Sequence, residues 1–366
     1  MLDSGFWKPD VVNAPKKILI APLDWGLGHA TRCVPVIHEF LHWGCEVQIA
    51  SSGSALVLIK EEFPQLKYHN LVLYDAHYSK IFPVALSVLF QIPKFLNRIK
   101  QEHDQIEKIV CDEKIDFVIS DNRYGCWSRQ VSSVFITHQV NILMPWTIRW
   151  LEPLVNYFNH LQIKKFNYCW VPDELNNRIT GKLTDAKRVK VTHIGMLSRF
   201  RKMESVERKY DLLVLLSGPE PQRTLMEQAL TKKLSGTRLK VILVRGFPMD
   251  TTSRMDGNEY VVQQNHLSAR ELNQVIEESK IVISRSGYST IMDLAKLGKK
   301  AIFIPTPGQT EQMYLADQLT KRKIAYCTDL NSLDVNKAIG LSNGYSGFTG
   351  EYNNELLSKA ISNLLA

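Results

Sequence analysis

Three runs of the chain combine residue types able to handle an anion, a proton and a set of hydroxyls. In Ile281-Val282-Ile283-Ser284-Arg285-Ser286-Gly287-Tyr288-Ser289, an apolar strand ends in Arg-Ser-Gly and a helical pattern starts at once. The free N–H groups and positive dipole end of such a helix attract negative charge. A diphosphate suits that geometry, with Ser286 and Gly287 as donors and Asp293, about one turn in, accepting from a ribose diol. The same spacing also makes a plain strand–turn–helix with Asp293 solvated.

The second run, Asp24-Trp25-Gly26-Leu27-Gly28-His29-Ala30-Thr31-Arg32, also follows an apolar stretch and opens a helix. Bare backbone at Gly26 and Gly28 lets a phosphate or a substrate approach. Thr31 stands where the dinucleotide fingerprint has its third glycine, so that fingerprint is incomplete. The dipole lowers the pKa of an imidazole at this end, which suits His29 to accept a proton. A tight turn with a structural histidine has the same pattern. In the third run, Ile304-Pro305-Thr306-Pro307-Gly308-Gln309-Thr310-Glu311-Gln312, a Pro/Gly loop leads into a helix. The carboxamides of Gln309 and Gln312 and the Glu311 carboxylate suit sugar hydroxyls, which need directed donors and acceptors. Thr310 as an N-cap and Glu311 as a dipole partner satisfy that pattern equally.

Such runs need a frame that sets strand ends beside helix starts. Strands are expected over 17–21, 46–50, 116–120, 134–137 and 168–171, and again over 212–216, 239–244, 260–263, 281–284 and 301–304. Helices are expected over 29–43, 222–234, 268–279, 289–297 and 312–322, and the remaining gaps leave room for crossover helices. The pattern is that of two doubly wound α/β units, and 366 residues fit two domains. Boundaries are expected at 1–190 and 191–350, with a closing helix over 351–366 packing back on the first domain. The hinge is expected near 185–205, where the charged stretch Arg199 to Lys209 begins.

Composition narrows the function. Residues 1–180 hold 18 Lys/Arg and 18 Asp/Glu, whereas 181–366 hold 27 against 19, so the whole net charge of +8 lies in the second half. That excess favours an anionic ligand. No RNP-type aromatic motif, zinc finger or long basic arm is present, which argues against nucleic acid. The six cysteines form no CxxC pair, so neither a metal nor a redox motif emerges and reduced thiols are expected. Residues 1–17 lack an apolar core, so no signal peptide is expected. The uncharged runs 81–93 and 131–148 are, respectively, too short and too polar to span a bilayer.

The Arg-Ser-Gly…Asp run, with Pro307-Gly308-Gln309-Thr310-Glu311-Gln312 and Tyr314-Leu315-Ala316 after it, resembles the C-terminal domain of MurG-type glycosyltransferases of family 28. Gly195-Met196-Leu197-Ser198-Arg199 and Leu216-Ser217-Gly218-Pro219-Glu220 resemble that domain's opening arginine and its glycine-serine loop. Gly26-x-Gly28-His29 and Thr137-His138-Gln139-Val140-Asn141 resemble the family's glycine loop and acceptor-side segment. The likeness covers roughly residues 16–320. It departs from the family at Met313, where a second glutamine would stand, at Asp293 in place of a glutamate, and in Ser217-Gly218-Pro219.

The resemblance implies a GT-B fold, two Rossmann-like domains facing across a cleft. It implies an inverting, metal-independent transfer from a UDP-sugar, such as an N-acetylhexosamine donor, with no cofactor besides that co-substrate. The implied donor side is Arg199, Ser217, Gly218, Arg285, Ser286, Gly287, Ser289, Asp293, Gln309, Glu311 and Gln312, with the uracil read by backbone within 266–272. The implied acceptor side is Gly26, Gly28, Asn122, His138, Gln139 and Asn141, with His29 as first choice of base and Asp121 as second. Arg285 suits a domain buttress equally, and Asp121 a strand-end cap. The acceptor implied is a lipid-linked or cell-envelope glycan, at the inner face of the cytoplasmic membrane. Basic, aromatic segments at 79–109 and 141–165 suit an anionic membrane surface, and suit helices packed on the sheet as well. Gly26-x-Gly28-His29-x-x-Arg32-Cys33 also resembles UDP-sugar hydrolases of nonulosonic-acid biosynthesis. A sugar-nucleotide 2-epimerase and a non-catalytic donor-binding subunit are the remaining alternatives.

Overall fold

The computed structural model describes residues 14–73, 84–176, 178–185, 187–218, 220–247, 253–255, 259–350 and 352–366, excepting the side chains of 84–93 and 253–255. The leader reading over 1–13, the segment start at 79–83, the side chains of the run 81–93 and Pro219 therefore lie outside the described residues.

The first half runs β1 (Lys17–Pro22), α1 (Leu27–His42), β2 (Glu46–Ser51), α2 (Gly53–Glu62), β3 (Lys67–Asn70), α3 (Val84–Glu113), β4 (Phe117–Asp121), β5 (Ser132–Ile136), α4 (Glu152–Ile163), β6 (Tyr168–Val171) and β7 (Val191–His193). The second runs β8 (Tyr210–Leu215), α5 (Gln222–Leu234), β9 (Val241–Val244), β10 (Ser253–Met255), β11 (Val261–Gln264), α6 (Ala269–Glu278), β12 (Ser279–Ser284), α7 (Tyr288–Lys296), β13 (Ala301–Phe303), α8 (Thr310–Lys321), β14 (Tyr326–Cys327), α9 (Val335–Ser342) and α10 (Glu355–Leu365). Strands such as Lys17-Ile18-Leu19-Ile20-Ala21-Pro22 are continuous apolar runs because helices cover both faces of a parallel sheet.

The sheets are ordered β3-β2-β1-β4-β5-β6-β7 and β10-β11-β9-β8-β12-β13-β14. Every pairing is parallel except β10 with β11. Strand order reverses between β1 and β4 in one sheet and between β8 and β12 in the other, and at such points open α/β sheets bind ligands. Register puts Pro22 beside Asp121 and Leu215 beside Ser284, so the loops leaving these strands emerge side by side.

The structure adds α2, β3, β7, β10, β14 and α9 to the elements the sequence pattern suggested. In the stretch expected as the hinge, 185–205, β7 pairs with β6 and Ile194, Met196, Leu197 and Phe200 are buried, while 201–205 are exposed. One apolar cluster joins Ile18 and Ile37 of the first half to Leu213, Val282 and Ile291 of the second. α10 closes the chain onto α1, with Leu357 and Ile361 in that cluster and Trp43 Nε1 donating to Ser358 Oγ at 3.3 Å.

Gly125 has no room for a side chain. A Cβ there would lie 2.5 Å from the Ile99 carbonyl oxygen, while Gly236 faces open space. Gly125→Ala should therefore cost about 1–3 kcal/mol in urea unfolding, with Gly236→Ala close to neutral.

Candidate active site between the two sheets

The site begins with two helices that start without caps. α1 has Gly26 as its N-cap and α7 has Gly287; neither has a side-chain cap or an acidic residue in its first turn. Elsewhere in the second half, Ser268 and Glu271 form a full capping box on α6 and Asp334 caps α9, while α5, α8 and α10 also start without a side-chain cap. The amides opening α1 and α7 are thus left for another acceptor. The two first turns touch: Ser289 Oγ donates to the Gly28 carbonyl at 3.1 Å, and a Cβ on Gly28 would sit 2.7 Å from Ser289 Oγ. Beside this contact the second sheet leaves room. A Cβ added at Gly218, Gly287 or Gly308, after the adjacent strands β8, β12 and β13, would meet nothing within 4 Å.

On the first sheet a polar network fills the switch point. Asp121, fully buried at the end of β4, accepts from Arg32 Nε at 2.7 Å, from Arg32 Nη2 and from Cys33 Sγ at 3.4 Å. His29 Nδ1 lies 3.3 Å from Asp121 Oδ1 and 2.9 Å from Arg32 Nη2. Arg32 Nη1 donates to His138 Nδ1 at 2.9 Å. His138 Nε2 in turn meets Glu311 Oε1 of α8 at 2.7 Å, and Gln139 donates to Glu311 Oε2. His138 also stacks on Tyr288 of α7 at 4.5 Å, and the Tyr288 hydroxyl donates to the Pro172 carbonyl at 2.6 Å.

The charges follow from this packing. Burial and the Arg32 charge push the His29 imidazole below its ordinary pKa, against the pull of Asp121. Burial alone would raise the Asp121 carboxyl, but Arg32 and His29 hold it far below the carboxylate range. Burial pushes Asp293 up to about 6 against hydrogen bonding from Ser198, whose hydroxyl donates to Oδ1 at 2.6 Å, and the Arg199 charge. Burial would raise Glu311 too, yet His138 brings it below the usual value.

Several residues expected to meet ligand are engaged otherwise. Asp121, expected as the second choice of base, is ion-paired with Arg32 and closed off from solvent, so no acceptor hydroxyl reaches it in this arrangement. Arg285 is 2% exposed and donates to the carbonyls of Ile304, Pro305 and Gln222 at 3.1–3.2 Å, all in the second half, so it ties the loops of its own sheet together and does not bridge the domains. Arg199 lies 3.8 Å from Glu62 of α2 and makes no hydrogen bond to Ser286 or Gly287, because its turn packs against the first domain. Gln312 Oε1 accepts from the Thr306 amide at 2.9 Å and its Nε2 donates to Gln309, so both carboxamides are spent within the loop. Ser286 Oγ donates to the Gln312 carbonyl, which leaves its backbone amide for an anion. Asn141 donates to the Lys182 and Asp185 carbonyls and pins a loop. Asn122 keeps φ at 61° while its Oδ1 accepts from Thr137. The cap of α8 is Gln309, and Thr310 donates to the Leu143 carbonyl across the domain contact. Ser217 and Gly218 are exposed at the mouth of the open space.

Sequence reasoning gave no role to Arg32, Tyr288 or Ser198. The signal for Arg32 was its position three residues after His29, on one helical face. Among the described residues no group of three or more His, Cys, Asp or Glu is placed to hold a metal ion.

Fold and site together define a GT-B architecture. Residues 212–340 match the family described as "Glycosyltransferase family 28 C-terminal domain". Of the curated relatives, the Rickettsia felis protein named "UDP-N-acetylglucosamine--N-acetylmuramyl-(pentapeptide) pyrophosphoryl-undecaprenol N-acetylglucosamine transferase" is 41% identical over 61 residues, 16% of this chain and 17% of its own length. The protein of that name from Acidiphilium cryptum is 27% identical over 121 residues, 32% of this chain and 33% of its own. These matches span only a sixth to a third of those relatives' lengths. Among solved structures, the kitacinnamycin glycotransferase superposes with a TM-score of 0.67 at 14% identity, over 97% of this chain and 100% of that one. MurG of Acinetobacter baumannii gives 0.54 at 13%, over 96% and 94%. The GT-B fold thus covers nearly the whole chain, and the likeness to the family 28 domain covers residues 212–340.

Asp293 supplies a direct check. A carboxyl at about 6 in the fold and near its ordinary value when unfolded makes stability fall as pH rises from 4 to 6. Asp293→Asn should raise the melting temperature at pH 8 by relieving at most about 3 kcal/mol, and leave it nearly unchanged at pH 4.

Proposed function

We propose that this protein is a glycosyltransferase that takes a sugar from a UDP-sugar and passes it, with inversion and without a metal, to a hydroxyl acceptor. The observation that carries the reading is the uncapped start of α7 at Gly287, with open space beside Gly218, Gly287 and Gly308. Backbone amides of Ser286 and Gly287 would hold the pyrophosphate and stabilise the charge of the departing nucleoside diphosphate. His29 would take the acceptor proton as the hydroxyl oxygen attacks the anomeric carbon, with the Asp121 carboxylate beside it to balance the charge. The lowered pKa of His29 suits that work near neutrality. Glu311, freed from His138 and Gln139, would be the group to meet sugar hydroxyls. The names of the curated relatives, N-acetylglucosamine transferases acting on a pyrophosphoryl-undecaprenol, support an N-acetylhexosamine donor and a lipid-linked acceptor.

A lipid-linked acceptor requires a surface that meets the bilayer. Trp146 is 88% exposed and Trp150 76%, and Leu154, Tyr157, Phe158 and Leu161 continue an exposed apolar stripe along α4 at helical spacing. Arg149, Lys164 and Lys165 flank it, as an anionic interface would need. No helix among the described residues is long and apolar enough to cross a membrane. Peripheral contact at the inner face of the cytoplasmic membrane is the corresponding localisation.

Titration calorimetry with UDP-, GDP- and dTDP-sugars should show selective UDP-sugar binding. Gly287→Val, which fills the open space, should abolish it without lowering the melting temperature. His29→Asn should keep donor affinity and lose about 10²–10⁴ in turnover with lipid extract. Release of free sugar at full rate without acceptor would contradict the transferase assignment. Co-sedimentation with phosphatidylglycerol vesicles should drop sharply in Trp146→Ala/Trp150→Ala.

A further inference from the structure

The amino end of α7 is pinned to the first half by the two residues that follow its N-cap. Tyr288 is 2% exposed; its hydroxyl donates to the Pro172 carbonyl at 2.6 Å, and its ring lies flat on His138, with centroids 4.5 Å and planes 8° apart. Burial pushes that hydroxyl well above the ordinary phenol range, so it stays a donor. Ser289 Oγ donates to the Gly28 carbonyl at 3.1 Å, in the first turn of α1. Pro172 follows β6, His138 follows β5 and Gly28 opens α1, so three elements of the first half hold one helical turn. Without such holds, two positive helix ends brought together would repel each other. The attachment is also close to the chemistry along the chain: Gly287 directly precedes Tyr288, and His29 directly follows Gly28.

We propose that Tyr288 and Ser289 are positioning residues that set the offset between the anion seat of α7 and the His29 imidazole. The inference rests on the transferase reading of the site. A donor held by the amides of Ser286 and Gly287 moves with α7, whereas His29 moves with α1. An attacking hydroxyl must lie about 3–3.5 Å from the anomeric carbon, and a misplacement of about 1 Å costs about 10²-fold in rate. The Ser289 bond alone would leave α7 free to pivot against α1. The Tyr288 ring on His138 and its hydroxyl on Pro172 add two further points of attachment and stop that pivot. Donor affinity is left to the backbone amides, so these two side chains act on the rate and not on the hold.

The test compares Ser289→Ala, Tyr288→Phe and the double variant with the wild-type full chain, by calorimetry with UDP and by turnover of a UDP-sugar with lipid extract. UDP affinity should stay within about threefold, while kcat falls about tenfold in each single variant and about 10²-fold in the double. Ser289→Thr, which keeps the hydroxyl, should retain most of the rate. Unchanged kcat in a folded double variant would overturn the proposal. UDP affinity falling in step with kcat would overturn it too, because the residues would then belong to the anion seat itself. A readout that needs no turnover is the ¹H spectrum of the His138 ring, identified with His138→Asn. The Tyr288 ring should shift those protons upfield, and Tyr288→Leu should remove the shift. Unshifted His138 protons in the wild-type protein overturn the proposal whether or not sugar is transferred. Upfield His138 protons in a wild-type chain that transfers no sugar would remove the transferase assignment and leave the three-point attachment standing.

Discussion

Two helices begin at the same place, and most of the site follows from that. α1 and α7 leave their sheets at the two switch points and touch at Gly28 and Ser289. Each presents free amides and a positive dipole end, and each lacks both a cap and an acidic first turn. Two like-signed helix ends brought together favour a negative charge between or beside them. Glycine at the N-cap of each keeps that space clear, and at Gly26, with φ at 78°, the backbone itself demands it. The fold, in this view, prepares a place for an anionic leaving group before any side chain is considered.

The first sheet answers with carboxylates kept out of that space. Asp121 is neutralised by Arg32 and shielded from solvent, and Glu311 is tied down by His138 and Gln139 from the opposite domain. Removing one partner of a buried pair leaves an uncompensated charge, so this network is held together as a unit. It is also the polar part of the domain contact, beside the bonds from Tyr288, Ser289 and Thr310 to carbonyls of the first half. Chemistry and domain closure therefore share residues.

The architecture was legible in the sequence because parallel strands buried on both faces read as apolar runs, and Gly-rich turns mark where they end. The strand at 168–171 was placed to the residue, while α2, β3, β7, β10, β14 and α9 were missed. β3, Lys67-Tyr68-His69-Asn70, is a polar edge strand with no apolar run to find. β7 is three residues long and lies in a stretch whose neighbouring charges suggested a linker. At the site, His29, Gly287 and the Thr137–Asn141 segment were legible from type and position. The engagements of Arg199, Arg285 and Gln312 were not, because local spacing does not reveal which carbonyl or carboxylate a long polar side chain will meet across the fold. Arg32 escaped for the same reason: its three partners lie on three different elements.

The central claim is that a pyrophosphate rests on the amino end of α7. A crystal structure of the protein with UDP tests it most directly. The account predicts pyrophosphate oxygens accepting from the backbone amides of Ser286 and Gly287, with the ribose on the Asp293 side. UDP bound elsewhere, with those amides facing only solvent, would contradict it.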